Sequence, residues 1–217
     1  MTARVPLIYR IVMIVATPIV RWWGRLTVDG VELVDGPEPL VVFGNHDSHW
    51  DPLVAGVAAN GQSAHGRQIR ALAKASLWTN PVVGRVLDGM GQIPIERGRG
   101  DTDALAAAIG QLDGGACVGV FPEGTVSGGE VKRFLSGAGR LALAVPTARV
   151  IGLSITGAVD IARFPRRPRI RVEFFEPATG QPKDGESAVA LTRRIMAEVR
   201  TRAPAVPSGR ATKSVSS

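Results

Sequence analysis

The chain has one cysteine, one tyrosine and few aromatic residues of any kind, and each shortage removes a class of protein from consideration. Cys117 alone can form no internal disulfide, so nothing here points to an oxidising compartment. Set in the apolar run ACVGVF, it reads as a small buried residue rather than a catalytic thiol. Aromatics make up only 5% of the residues, and Tyr9 and the six phenylalanines are scattered. Nucleic-acid binders interleave stacking rings with basic residues, so no nucleic-acid partner is expected. The three histidines, at 46, 49 and 65, lack cysteine partners and the HExxH spacing of a zinc site, and no metal is expected.

The sequence also lacks a membrane-spanning run. The longest N-terminal apolar stretch, Ile11 to Val20, is bounded by Arg10 and Arg21 and interrupted by Pro18, well short of the roughly 20 residues a bilayer requires. A secretory signal is disfavoured because no small-residue cleavage site follows. Arg4, Arg10, Arg21 and Arg25 punctuate the stretch, and Trp22 and Trp23 follow it. Basic flanks and tryptophans of this kind mark segments that lie in the headgroup region, so residues 1–25 are expected to form an interfacial helix. A helix docked on its own domain is the competing reading, and the two suit opposite faces of one helix. The formal charge of +7 and pI near 10.6 favour an anionic partner, either a lipid surface or a phosphorylated substrate. A peripheral location on the cytoplasmic face of the cell membrane is the expectation that combines these features.

What is present from Leu26 onward is alternation. The runs LVVFG, PLVAGVAA, QIRALA, PVVGRVL, GQIPI, TDALAAAIGQL, ACVGVF, GAGRLALA and RVIGLSI succeed one another with strand-like and helix-like patterns in turn. IRVEFFE reads as a late strand and SAVALTRRIMAEVRTR as an amphipathic closing helix. Strands that are continuously apolar, with helices between them, imply an α/β fold: a largely parallel mixed sheet flanked by helices. Residues 26–202 are expected to be one domain, and 203–217, rich in Pro, Ser, Gly and Lys, a disordered tail.

Function must then sit in the loops. LVVFGNHDSHWDPL places a polar cluster straight after an apolar strand, where open parallel sheets carry their binding crevice. His46 and Asp51 are five residues apart and would diverge by about 140° on one continuous helix. Pro52, however, disfavours helix at Asp51 and suits the first position of a new one, with Asp51 as its cap. The turn between them can fold the carboxylate onto one ring nitrogen and leave the other to accept a proton, a general-base dyad. VGVFPEGTVSGG repeats the strand-to-loop placement with a carboxylate, Glu123, among glycines and hydroxyls. A plain turn uses the same residues.

GNHDSHWD, GQIPIERG and FPEGTVS, in that order and with RVIGLSITGA after them, resemble the lysophospholipid acyltransferase family, whose members include 1-acylglycerol-3-phosphate acyltransferases. The resemblance extends to about Glu198. It implies a glycerolipid acyltransferase-like fold in which His46 deprotonates the acceptor hydroxyl and Asp51 orients it. Asn45 supports the turn, Arg97 meets the acceptor phosphate, and Glu123, Gly124 and Thr125 bind the acceptor. The implied co-substrates are acyl-CoA or acyl carrier protein, with no resident cofactor, and the implied acceptor is lysophosphatidic acid on a lipid surface. Two positions depart from the pattern: Val126 and Leu135 stand where many members carry arginine and lysine, and the nearby Lys132 and Arg133 are candidates to replace them. Gly152 likewise replaces the usual proline of the fourth block. Other lysolipids, glycolipids or acylated amino-acid lipids are therefore alternative acceptors. A non-catalytic lipid binder on the same fold is a rival reading. A serine hydrolase is excluded by the absence of a G-x-S-x-G elbow.

Overall fold

A computed structural model describes residues 6–62, 67–96, 102–162, 165 and 167–206. Among them seven strands build one mixed sheet: β1 (Thr27–Asp29), β2 (Leu40–Gly44), β3 (Ile69–Lys74), β4 (Ile93–Ile95), β5 (Cys117–Val120), β6 (Arg149–Thr156) and β7 (Arg171–Phe175). Their spatial order is β1-β7-β6-β2-β5-β3-β4. Every neighbouring pair is parallel except β6 and β7, which run antiparallel. The expected largely parallel mixed sheet is the one observed. The short edge strand β1 was missed, because LTVDG offers too few apolar residues to register as a strand.

Helices α2 (Asp51–Gln62), α3 (Pro81–Gly89), α4 (Thr102–Asp113), α5 (Gly137–Ala144) and α6 (Ala188–Arg202) fill the connections. GAGRLALA thus forms a helix. The central strand β2 shows why the sheet needs helices on both faces. Leu40 and Val42 enter one core with Val54 and Val57 of α2, while Val41 and Phe43 enter the other with Leu112 of α4, Leu141 of α5 and Ile195 of α6. A strand buried on both faces must be apolar throughout, as LVVF is.

The N-terminal helix α1 (Leu7–Pro18) docks on the same body. Tyr9, Met13 and Ala16, on one stripe, are buried and join the core that α2 and β2 share. Pro18 has no amide to donate, and the helix hands over there to a π turn, Ile19–Trp23, in which the Gly24 amide reaches the Ile19 carbonyl at 3.0 Å. The turn is held from outside by Arg167, whose Nε donates to the Trp23 carbonyl at 3.3 Å and whose guanidinium lies 4.7 Å from the Trp22 ring centroid. Part of the basic segment after Ile161 therefore clamps the N-terminal helix to the domain. Ala203, which caps the last helix, is fully buried.

Candidate active site

The C-terminal ends of β2 and β5 lie side by side at the middle of the sheet, and the two polar segments singled out in the sequence leave from them. Parallel strands point their ends the same way, so residues 45–51 and 121–136 are delivered to one crevice. Gly44 closes β2. A Cβ there would come within 2.9 Å of the Phe121 ring, so glycine lets that ring lie against the strand end. Phe121 in turn packs on the His46 imidazole, with centroids 4.9 Å apart.

His46 and Asp51 meet, as their spacing suggested. His46 Nδ1 lies 3.4 Å from Asp51 Oδ2, which leaves Nε2 as the ring nitrogen available to a substrate. His46 keeps 7% of its surface and Asp51 only 1%. The mechanism of the turn differs from the expectation. Asp51 does not cap α2 with its side chain; Oδ2 reaches back and accepts the amides of Asp47 and Ser48, each at 2.7 Å. The helix is entered through the Asp51 amide on the Ser48 carbonyl. Aiming the carboxylate upstream is what brings it beneath the imidazole. Burial raises the Asp51 carboxyl above its ordinary range, against the bonds from His46, Ser48 and Asp47 that favour the charged form. His49 stands edge-on to His46, ring centroids 6.4 Å apart, and is exposed.

Asn45, read from the sequence as supporting the turn, and Glu123, read as binding the acceptor, are both turned toward buried partners. Asn45 is fully buried, and its amide is used twice on one partner: Nδ2 donates to the Ile155 carbonyl and Oδ1 accepts the Ile155 amide, both at 2.8 Å. It staples the base loop to β6. The Glu123 carboxylate faces inward onto Arg200, which approaches with Nε at 3.0 Å and Nη2 at 2.5 and 2.6 Å. Burial raises the Glu123 carboxyl, opposed by Arg200 and reinforced by the charge of Asp47. Three polar residues absent from the sequence-based site, Asp47, Ser127 and Arg200, belong to this network. The Asp47 carboxylate takes the other edge of Arg200 and the Ser127 hydroxyl, and the Ser127 amide donates to the His46 carbonyl at 2.7 Å. Neither Arg200, one basic residue of a basic helix, nor Ser127, one small residue of a turn, carries a local signal.

The remaining described candidates lie on the loop that follows β5. Gly124 adopts φ +67°, a left-handed conformation that favours glycine, and it lies against the Leu135 side chain. Thr125 and Arg133 are exposed, and Lys132 donates its Nζ to the Val126 carbonyl at 3.0 Å. Arg97 and His65 lie outside the described residues. Cys117 is buried in β5, its thiol pushed up to about 12 by burial, with Arg67 opposing, and it stands outside this network.

A base loop and a carboxylate-bearing glycine loop on adjacent strand ends are found in a protein matched, over residues 25–157, by the acyltransferase family. The chain belongs to that family. It is similar to the chloroplastic 1-acyl-sn-glycerol-3-phosphate acyltransferase of Arabidopsis thaliana, 28% identical over 141 residues that cover 63% of this chain and 37% of the relative. It is also 33% identical over 128 residues, 57% of this chain and 48% of the relative, to the 1-acyl-sn-glycerol-3-phosphate acyltransferase of Borreliella burgdorferi. These matches span less than half the length of either relative. The fold of this acyltransferase-family chain is shared with the crystal structure of the 1-acyl-sn-glycerophosphate acyltransferase of Thermotoga maritima, at a TM-score of 0.62 and 23% identity, over 93% of this chain and 82% of that one.

Proposed function

We propose that this protein transfers a fatty acyl group from acyl-CoA or acyl carrier protein to the free hydroxyl of lysophosphatidic acid, working as a peripheral enzyme on the cytoplasmic face of a membrane. The observation that carries this reading is the buried dyad, with Asp51 behind Nδ1 of His46 and Nε2 left for an incoming hydroxyl. An alcohol is a weak nucleophile at neutral pH. The hydroxyl proton passes to Nε2 as the oxygen attacks the thioester carbonyl; the C–S bond then breaks, and the departing thiolate takes the proton back from the imidazolium. No acyl-enzyme is required, in keeping with the burial of Cys117.

The exterior of α1 supports the membrane part of the proposal. Leu7, Ile11, Ile14 and Val15 are 52–70% exposed on the face opposite the docked stripe, Trp22 is 70% exposed beyond them, and Val82 of α3 is 69% exposed across a groove that includes Ile8, Val12 and Arg85. No helix among the described residues is long and apolar enough to cross a membrane. A contiguous apolar face edged by arginines matches a headgroup-depth contact.

The test is to incubate the purified protein with acyl-CoA, or acyl carrier protein charged with the same chain, and a panel of lysolipids, and to follow free thiol release. Release that depends on lysophosphatidic acid and is lost in His46→Ala is expected; acceptor-independent release would sink the transferase reading. Arg97→Ala should raise the KM for phosphorylated acceptors while leaving donor KM unchanged. Equal impairment with neutral acceptors would remove lysophosphatidic acid as the favoured substrate. Val131 and Leu135, 58% and 52% exposed on the same loop as Lys132, favour a second reading in which the acceptor is another lysolipid or a glycolipid. Flotation with anionic vesicles tests the surface contact, which Ile11→Ser with Ile14→Ser should weaken.

A further inference from the structure

We infer that Arg200 is a positioning residue for acyl transfer, fixing the base loop against the glycine loop from a helix about 150 residues away in sequence. This rests on the general-base reading of His46. Arg200 leaves the last turn of α6 and enters between the two loops, with only 8% of its surface exposed. Its planar fork is fully used. Nη1 and Nη2 make a paired contact with Asp47 Oδ2 and Oδ1 at 2.9 and 3.0 Å, Nε and Nη2 take Glu123, and Nη1 also donates to the Ala203 carbonyl at 3.1 Å.

The location of those partners makes this more than a packing device. Asp47 is the residue after His46, and its amide donates to the oxygen of Asp51 that faces the imidazole. Glu123 opens the loop whose Ser127 amide holds the His46 carbonyl, and the Ser127 hydroxyl returns to Asp47. A displaced Asp47 carboxylate would therefore move the backbone that sets the His46 ring, and it would separate the base from the acceptor loop. A buried ion cluster adds little net stability over a well-packed apolar replacement, so what it supplies here is geometry. Lysine cannot copy it, since a point charge does not form two planar contacts at once.

Kinetics of two variants test the inference. Arg200→Lys should fold and lower kcat about 10- to 100-fold, the scale of an ångström-sized misplacement of catalytic groups, with KM for acyl-CoA and for lysophosphatidic acid within about twofold. The triple variant Asp47→Asn, Glu123→Gln, Arg200→Met leaves no unpaired buried charge and should melt near the parent temperature while its kcat stays depressed. Arg202→Lys, on the same helix, is the control and should keep the parent rate. A triple variant with parent melting and kcat within about threefold would overturn the positioning role. So would an unchanged kcat with raised KM values, or failure of both variants to fold, which would make the network a requirement of the fold alone. An active His46→Ala would instead remove the base reading, whereas an inactive His46→Ala beside a fully active triple variant would remove only the role of Arg200.

Discussion

Asp47 and Asp51 sit four residues apart on one loop, both buried, and are held by opposite means. Asp47 is fastened by a guanidinium, an amide side chain and a hydroxyl. Among the described residues Asp51 has no arginine or lysine partner: two backbone amides and the imidazole share Oδ2, and Oδ1 accepts nothing. Tying down a carboxylate with a full counter-charge makes it a strut. Leaving one buried with only dipoles and a histidine keeps its charge directed at the ring, where in the proposed mechanism it would stabilise the imidazolium formed as His46 takes a proton.

Variants on the two sides should separate rate from stability. On the Asp51 side, His46→Ala should lower acyl transfer by about 10² to 10⁴-fold, the contribution of a positioned base. Its circular dichroism and melting should match the parent, and retention of more than about a tenth of the rate would contradict the base assignment. On the Asp47 side, Arg200→Met strands two carboxylates in the interior and should cost about 3–5 kcal/mol in denaturant unfolding; a cost below about 1 kcal/mol would mean that water reaches the cluster.

A third variant sharpens the contrast through pH. Burial raises the Asp51 carboxyl, so the stability linked to this group is present below the unfolded carboxylate value, near about 4, and is lost as pH rises through the folded value. Asp51→Asn avoids that loss. It should be catalytically crippled yet melt at or above the parent at pH 7, with the advantage shrinking as pH falls toward 4; a variant less stable than the parent at neutral pH would show that the charge is compensated locally. The smallest effect is expected from Ser127→Ala, which removes one hydroxyl from a carboxylate that keeps its arginine, at about 1 kcal/mol.

Both loops could be found from the sequence because each pairs a local signal with a local cause. An apolar strand ending in a polar cluster places that cluster at the C-terminal end of the strand, and His46, Asp51 and Glu123 are visible for that reason. The buried partners of Asn45 and Glu123 were not legible, because a polar residue in such a loop looks the same in sequence whether it faces the crevice or the interior. Arg200 and Ser127 were invisible for a related reason, since their partners lie 153 and 80 residues away.

The sequence by itself determined the alternation of apolar strands and helices, the dyad and the short apolar N-terminal helix, because periodicity, proline and residue spacing act within a few residues. Only the tertiary structure decided which face of α1 is docked, with Tyr9 and Met13 inside and Ile11 and Ile14 outside, because both faces are apolar. It alone decided as well that the carboxylates of Asp47 and Glu123 converge on Arg200. A buried charge is tolerable only where a partner arrives to satisfy it, and that arrival depends on the path of the whole chain.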